Sequence, residues 1–187
     1  MHDLNGLFSL SAKRKNIDFS IQVEAHVGEW LCGDMPRVKQ VLTNLIGNAI
    51  KFTEHGKVRL IISSSQPTPT ENHSKGRKKG QSNLITFEVS DTGCGIEHAQ
   101  LEHIFLPYYQ HQTQINASAL PVAKDNCVGT GLGLAISEGL TKAMGGSIIV
   151  TSDLGHGSHF SLTLPLPTVN APDTGQRNIT DVPETAE

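Results

Sequence analysis

The chain has 187 residues, a length that suits one domain with a tail rather than two full domains. Its formal net charge of −3 provides no basic face for nucleic acid, so we expect no nucleic-acid partner. The three cysteines include no CxxC pair, which disfavours a disulfide framework or a zinc site and favours a reducing cytosol. The apolar runs are far too short to span a bilayer, and we expect no membrane contact by this chain.

The first part of the chain predicts a strand and a long helix. Apolar and polar residues alternate strictly over 17–24, which is typical of a half-buried strand. In the helix that follows, Asp34 suits the N-cap and Pro36 the first turn, and Gly56 is expected to end the segment. A polar stripe runs beside the apolar face of this helix and consists of Arg37, Gln40, Asn44, Asn48 and Lys51.

The rest of the chain predicts four strands and two helices around two long irregular segments. In chain order, the predictions are a strand at 58–64, a solvated loop at 66–82, a strand at 84–90, a short helix at 97–105, an aperiodic segment at 107–131, a helix at 132–144, and strands at 147–152 and 158–164. The polar, Pro-containing sequence at 167–187 predicts a disordered linker.

Asp91 lies where the strand at 84–90 stops and a glycine turn begins. A carboxylate in this position can accept a hydrogen bond from the exocyclic amine of adenine. Gly93 and Gly95 lack Cβ atoms and would let a flat base approach the backbone closely. The same residues also suit an ordinary turn, and that interpretation stays open on this motif alone.

Asn44, Asn48 and Lys51 lie on one stripe of the predicted helix, although interior asparagines lower helix propensity. Amide oxygens are hard ligands that suit Mg²⁺, and a lysine can meet phosphate charge. The alternative is the polar, solvated face of an amphipathic helix.

The glycine-rich stretch 129–134 opens the predicted helix at 132–144. Backbone N–H groups at such a helix start can bind phosphate. A flexible loop is one alternative, and a Rossmann dinucleotide site is another. The Rossmann interpretation is disfavoured because the polar residues 124–127 precede the glycines in place of a strand, and Leu134 replaces the third glycine.

The order and spacing of these motifs resemble the catalytic and ATP-binding domain of sensor histidine kinases, in the GHKL superfamily. Residues 37–53 resemble the N box, 91–96 the G1 box, 104–110 the F box, 129–137 the G2 box, and 144–146 with 155–160 the closing strands. The similarity covers roughly residues 7–166. The resemblance implies the Bergerat fold, an α/β two-layer sandwich of a mixed β-sheet with helices on one face.

The resemblance also implies roles for individual residues. Asn48 would bind Mg²⁺ with assistance from Asn44, Lys51 would contact phosphate, and these three residues would form the catalytic set. Asp91 would read adenine. The other residues implied to contact ATP are Gly93, Gly95, Ile96, Phe105, Tyr109, Gly129, Thr130, Gly131, Leu132, Gly133 and Ser158.

The same resemblance implies how the chain is organised. Residues 1–14 would end a linker helix from a missing dimerisation domain, 15–166 would form the catalytic domain with an ATP lid at 107–128, and 167–187 would be the C-terminal linker. Partners would be the dimerisation and phosphoacceptor domain and a response-regulator receiver domain. We expect a cytoplasmic location, with a hybrid sensor kinase, membrane-anchored or not, as the parent protein.

Asn44 also bears on the reaction. Hydrolysing ATPases of this fold carry a glutamate four residues before the Mg-binding asparagine, and Asn44 cannot replace it as a general base. This favours transfer of the γ-phosphate to a histidine outside the chain, so no autophosphorylation is expected without the phosphoacceptor domain. The alternative function is a nucleotide-fold interaction module that regulates a partner kinase by direct contact, without phosphotransfer.

Overall fold

The computed structural model describes residues 2–25, 27–28, 30–65, 83–109 and 130–167. Its elements are helix α1 (His2–Arg14), strand β1 (Ile17–Val23), helix α2 (Met35–Phe52), strands β2 (Gly56–Ser65) and β3 (Asn83–Asp91), a 3₁₀ turn (His98–Gln100), helix α3 (Gly133–Ala143), and strands β4 (Ser147–Asp153) and β5 (Gly157–Leu166). The predicted loop at 66–82, lid residues 110–128 and linker residues 168–187 lie outside the described residues. No helix among those described is long and apolar enough to cross a membrane.

The five strands form one mixed sheet in the order β1-β2-β3-β5-β4. Strands β1 and β2 run parallel, and the other neighbouring pairs are antiparallel. Parallel neighbours require a crossover connection, and helix α2 lies in the connection between β1 and β2. The predicted fold class, a mixed sheet layered with helices, is confirmed.

The core lies between one face of the sheet and the helices. Alternate strand residues are fully buried, as Leu60 in β2, Phe87 in β3 and Leu162 in β5 show. Burying each such side chain contributes about 1.5–3 kcal/mol. The opposite face is polar, and there the Thr86 and Thr163 hydroxyls lie 3.2 Å apart. One apolar face per strand therefore produces a two-layer structure.

Helix α2 begins at the predicted cap. The Asp34 carboxylate accepts a hydrogen bond from the Arg37 N–H at 3.2 Å, and its other oxygen contacts the Arg37 guanidinium at 2.8 Å. The expectation that Gly56 ends this segment is corrected, because the helix stops at Phe52 and Gly56 begins β2. Thr53 already has an extended backbone, which ends the helical hydrogen bonding.

The predicted helix over 97–105 is also wrong. Only a 3₁₀ turn at His98–Gln100 forms, and hydrogen-bonded turns follow it. Most of the backbone bonds here join residues three apart, such as Leu106 N–H to His103 O at 2.9 Å. A segment this short is marginal as a helix, and the proline at position 107 stops it from growing.

Lys15, directly after α1, caps the C-terminal end of α2. Its ammonium group donates hydrogen bonds to the carbonyl oxygens of Ile50, Lys51 and Thr53 at 2.8, 2.9 and 3.0 Å. The last carbonyls of a helix have no partner within the helix, and they carry the negative end of its dipole. One side chain therefore joins α1 to the helix that carries the asparagine stripe.

We expect Lys15→Met to lower the free energy of unfolding by about 1–2 kcal/mol, because three charge-assisted hydrogen bonds are lost. Urea unfolding followed by circular dichroism measures the effect. Lys13→Met is the control, because the Lys13 ammonium makes no hydrogen bond or ion pair with another described residue. Equal losses in the two variants would show that the cap contributes nothing specific.

Candidate functional site

Asp91, the last residue of β3, lies at the centre of the first part of the site. Its Oδ1 atom accepts hydrogen bonds from the backbone N–H groups of Gly93, at 2.8 Å, and Ser158, at 3.3 Å. Burial raises the pKa of Asp91 above 3.8, and the hydrogen bonds from Gly93 and then Ser158 oppose that rise. Both bonds use the same oxygen, and no described residue donates a hydrogen bond to Oδ2.

The turn after Asp91 lies very close to neighbouring backbone. A Cβ atom on Gly93 would come within 2.5 Å of the Phe52 carbonyl oxygen at the end of α2. Gly95 has φ +68°, and a Cβ atom there would collide with the Asp153 carbonyl oxygen. Glycine is required at both positions, because the turn is held between α2 and the end of β4.

Hydrogen bonds from Cys94 hold the same turn from both sides. Its N–H donates to Phe52 O at 3.3 Å, and its carbonyl accepts from Gly155 N–H at 2.7 Å. The Asp91 turn (91–96), Phe52 at the end of α2 and the residues that join β4 to β5 (153–158) therefore form one wall of the site, the Asp91 wall.

Asn44 joins α2 to α3. Its Nδ2 atom donates to the Ser137 hydroxyl at 2.9 Å, and Ser137 is only 1% exposed. A Cβ atom on Gly133 would collide with the Asn44 side chain, so the first turn of α3 lies directly against this amide. Asn44 therefore positions the glycine-rich stretch relative to α2.

Asn48 lies one turn further along α2 and is half-buried. Its side-chain amide makes no hydrogen bond to another residue that the structure describes. Lys51 follows on the same stripe, with its ammonium 5.0 Å from the centre of the Phe52 ring. The stripe thus presents one amide and one cation beside the Asp91 wall.

The N-terminus of α3 lies against the asparagine stripe of α2 at Asn44. Leu132 precedes the helix and makes no side-chain capping hydrogen bond. Gly131 has φ +71°, and its carbonyl accepts from Tyr108 N–H at 2.9 Å, while the Thr130 hydroxyl accepts from Leu132 N–H at 3.4 Å. In the part of the chain that the structure describes, no side chain caps the first N–H groups of α3, as an anion site requires.

The remaining residues that were predicted to contact ATP lie in different surroundings. Ile96 and Phe105 are partly buried and pack against the core. Tyr109 is half-buried, and its ring stacks on His103 with the ring centres 5.7 Å apart. Gly129 lies outside the described residues. The structure thus brings Ile96 to the Asp91 wall and uses Phe105 as a packing residue.

Two residues of the site were missed by the sequence reasoning. Ser152 in β4 makes three hydrogen bonds to the Asp91 wall, and Lys15 caps α2. A signal for Ser152 exists, because it continues the half-buried series of Ile148 and Val150 as a polar residue. Lys15 had no comparable signal.

The donor set is compatible with a magnesium ion held mainly by a bound phosphate. No group of three or more His, Cys, Asp or Glu residues in the described ranges could hold a metal alone. Mg²⁺ usually takes one or two protein oxygens, with phosphate oxygens and waters completing the octahedron. The half-buried Asn48 amide, which has no hydrogen bond to a described residue, could supply one such oxygen.

The amino-acid sequence of the chain is similar to those of curated sensor kinases. The chain is 35% identical over 167 residues to the aerobic respiration control sensor protein ArcB of Escherichia coli K12, covering 89% of this chain and 19% of that protein. It is 36% identical over 159 residues to the hybrid signal transduction histidine kinase B of Dictyostelium discoideum, covering 85% of this chain and 7% of the relative. The chain thus spans a fifth or less of the length of these relatives.

The fold of the chain is also similar to solved structures of histidine kinases. Full-length ShkA in complex with AMPPNP matches with a TM-score of 0.68 and 30% identity, over 91% of this chain and 30% of that chain. The catalytic domain of histidine kinase ThkA matches with a TM-score of 0.62 and 25% identity, over 88% of this chain and 90% of that domain. Residues 33–168 match the family described as histidine kinase-, DNA gyrase B- and HSP90-like ATPase. The chain therefore belongs to this ATPase family, as a catalytic domain of the sensor histidine kinase type.

Proposed function

We propose that this domain binds ATP with Mg²⁺ and supplies the γ-phosphate to a histidine on a separate phosphoacceptor domain. The observation that carries the proposal is the arrangement of Asp91, Asn48 and the open start of α3 around the end of α2. A carboxylate for the base, an amide for the metal and bare N–H groups for phosphate lie on neighbouring elements.

At the base end, Asp91 accepts a hydrogen bond from the exocyclic amine of adenine through Oδ2, while Oδ1 keeps its hydrogen bonds from the Gly93 and Ser158 N–H groups. The two backbone bonds fix the orientation of the carboxylate, so no side-chain freedom is lost on binding. The glycine at position 93 lets the turn pack against the Phe52 carbonyl oxygen, and this contact fixes the turn beside which the flat ring would bind.

At the phosphate end, the uncapped N–H groups of α3 and the Lys51 ammonium bind the phosphate oxygens. Asn48 holds Mg²⁺ through its amide oxygen. When bound, the ion would neutralise the negative charge that develops on the phosphate during transfer. Thr130 and Gly131, together with Gly129, complete the phosphate loop.

Transfer is favoured over hydrolysis by the state of Asn44. Its amide nitrogen is used by Ser137, and an amide cannot take a proton from water. The position from which a carboxylate would activate water instead joins two helices. The acceptor of the phosphate is accordingly a nucleophile from outside this domain, a histidine of the dimerisation and phosphoacceptor domain.

The surrounding organisation follows from the same proposal. Helix α1 packs on β1 and α2 through Phe8, whose ring meets Phe19 edge-on at 6.2 Å, and it would continue the linker helix from the dimerisation domain. The tail after Leu166 would lead to a receiver domain if the parent protein is a hybrid kinase, the class that the Dictyostelium relative carries in its name. The domain would act in the cytoplasm.

Calorimetric titration with ADP in the presence of Mg²⁺ tests the nucleotide site, and we expect saturable binding in the micromolar range. Addition of γ-labelled ATP and the separate phosphoacceptor domain should then label a histidine of that domain. No label should appear on the chain alone. If the intact chain binds no ADP, the proposal fails and an interaction module without nucleotide becomes the better interpretation.

Asn48→Ala is expected to remove the Mg²⁺-dependent part of ADP binding, because the variant lacks the only protein oxygen that we assign to the metal. Titrations with Mg²⁺ and with a chelator should give nearly equal affinities for the variant and different affinities for the unmodified chain. Gln40→Ala, an exposed residue on the same stripe of α2, is the control and should behave as the unmodified chain. A full Mg²⁺ dependence in Asn48→Ala would contradict the assignment.

A further inference from the structure

The Ser152 hydroxyl joins three segments that surround Asp91. It lies 2.8 Å from the Ile96 N–H, 2.7 Å from the Gly157 carbonyl oxygen and 3.0 Å from the Ser158 hydroxyl. Ile96 ends the Asp91 turn, and Gly157 and Ser158 begin β5. One side chain therefore ties the turn that follows Asp91 to the strand whose N–H group binds Asp91.

The direction of these hydrogen bonds follows from the groups involved. A serine hydroxyl has one hydrogen and two lone pairs. The Gly157 carbonyl can only accept, so Ser152 donates its hydrogen there, and the Ile96 N–H can only donate. The Ser158 hydroxyl must then donate its own hydrogen to Ser152.

This direction has a consequence for the chemistry beside Asp91. Because the Ser158 hydroxyl donates its single hydrogen to Ser152, its oxygen can only accept further hydrogen bonds. Asp91 Oδ2 is also an acceptor, and the backbone N–H of Ser158 binds the same carboxylate at 3.3 Å. The Ser158 hydroxyl oxygen and Asp91 Oδ2 can therefore accept hydrogen bonds from donors on a ligand, and they would repel a ligand acceptor.

A 6-amino purine presents two hydrogens at the position where a 6-oxo purine presents an acceptor. We propose that Ser152 is a positioning residue that holds Ser158 as an acceptor and thereby sets the preference of the site for 6-amino over 6-oxo purine nucleotides. The inference rests on the proposed nucleotide site, where Asp91 binds the 6-amino group, and adds a second pair of residues that strengthens this preference. Ser152 itself touches no nucleotide atom in this scheme.

The test compares Ser152→Thr with Ser152→Val, because the two side chains have nearly the same shape and only threonine has the hydroxyl. The affinities of the full chain for ADP and for inosine diphosphate, a 6-oxo nucleotide, are measured by calorimetry with Mg²⁺. We expect the ratio of the two affinities to stay near that of the unmodified chain in Ser152→Thr and to fall about tenfold in Ser152→Val. Ser152→Ala, which lacks both the hydroxyl and the β-branch, should repeat the fall.

The ratio separates positioning from a purely structural role. Loosening of the whole wall would weaken both nucleotides in parallel and leave the ratio unchanged, and that outcome would overturn the role of Ser152 alone. A normal ratio in Ser152→Val would do the same. If the unmodified chain binds neither nucleotide, the proposed function is overturned together with this inference, so the two failures are distinguishable.

Discussion

Asp91→Asn is expected to weaken ADP binding by about 10- to 150-fold while the domain stays folded. The asparagine oxygen can still accept hydrogen bonds from the N–H groups of Gly93 and Ser158, so the turn keeps its hydrogen bonds. The new amide nitrogen replaces Oδ2 and is a donor, so it opposes the adenine amine instead of accepting from it. Calorimetry with ADP measures the loss, and thermal unfolding checks the fold.

The stability of this variant follows from the pKa of Asp91. Burial raises that pKa above 3.8, so the folded state binds the proton more tightly than the unfolded state does. The contribution of Asp91 to the free energy of unfolding therefore falls as pH rises from the ordinary value through the raised one. Asp91→Asn removes this ionisation, and the variant should be at least as stable as the unmodified chain at neutral pH.

ADP binding should show the opposite dependence on pH. Only the ionised carboxylate accepts at both oxygens, so affinity should fall as pH drops through the raised pKa of Asp91. The variant should lack this acid limb. Binding of ADP by Asp91→Asn with unchanged affinity would refute the role of Asp91 in reading adenine.

Gly95→Ala is expected to be among the most destabilising single-methyl changes in the domain. Gly95 has φ +68°, and the added Cβ would collide with the Asp153 carbonyl oxygen, which is backbone and cannot rotate away. The left-handed conformation costs about 1–2 kcal/mol for alanine, and the collision adds about 1–3 kcal/mol. Each kcal/mol lowers the melting temperature by about 2–4 °C in a domain of this size.

Gly155→Ala is the matched control for that prediction. Gly155 has a similar backbone, with φ +83°, but nothing lies within 4 Å of its added Cβ. The difference between the two variants in melting temperature therefore isolates the collision from the backbone strain. Gly95→Ala should also weaken ADP binding, because the Asp91 turn must move, whereas Gly155→Ala should weaken it less. Equal melting temperatures would show that the turn has room to relax.

Several features of the fold could be predicted because their causes are local. The strict alternation at 17–24, the Asp34 cap and the apolar face of α2 each depend on residues within a few positions of one another. The prediction of a helix at 97–105 was wrong because it, too, relied on the local pattern alone. Its sequence permits a helix, but the local pattern does not show that hydrogen bonds between residues three apart form instead. Nor does it show that Pro107 ends the segment.

The site was predictable as a set of positions and not as an arrangement. Asp91, Asn48 and the glycines before α3 stand out because each residue type fits a chemical task at an element boundary. The pairing of Asn44 with Ser137 joins residues 93 positions apart, and Lys15 reaches the end of α2 over 35 to 38 positions. No local pattern contains such contacts.

The amino-acid sequence by itself determined where the strands and the long helices lie, and which residue types meet at their ends, because periodicity, caps and glycine turns act over a few residues. Tertiary structure alone decided that Asn44 joins two helices and that Ser152 orients Ser158. Those contacts depend on how β4 and β5 pair, where Ser152 lies opposite Ser158, and on how α2 packs against α3. Both are outcomes of packing the whole chain around one core.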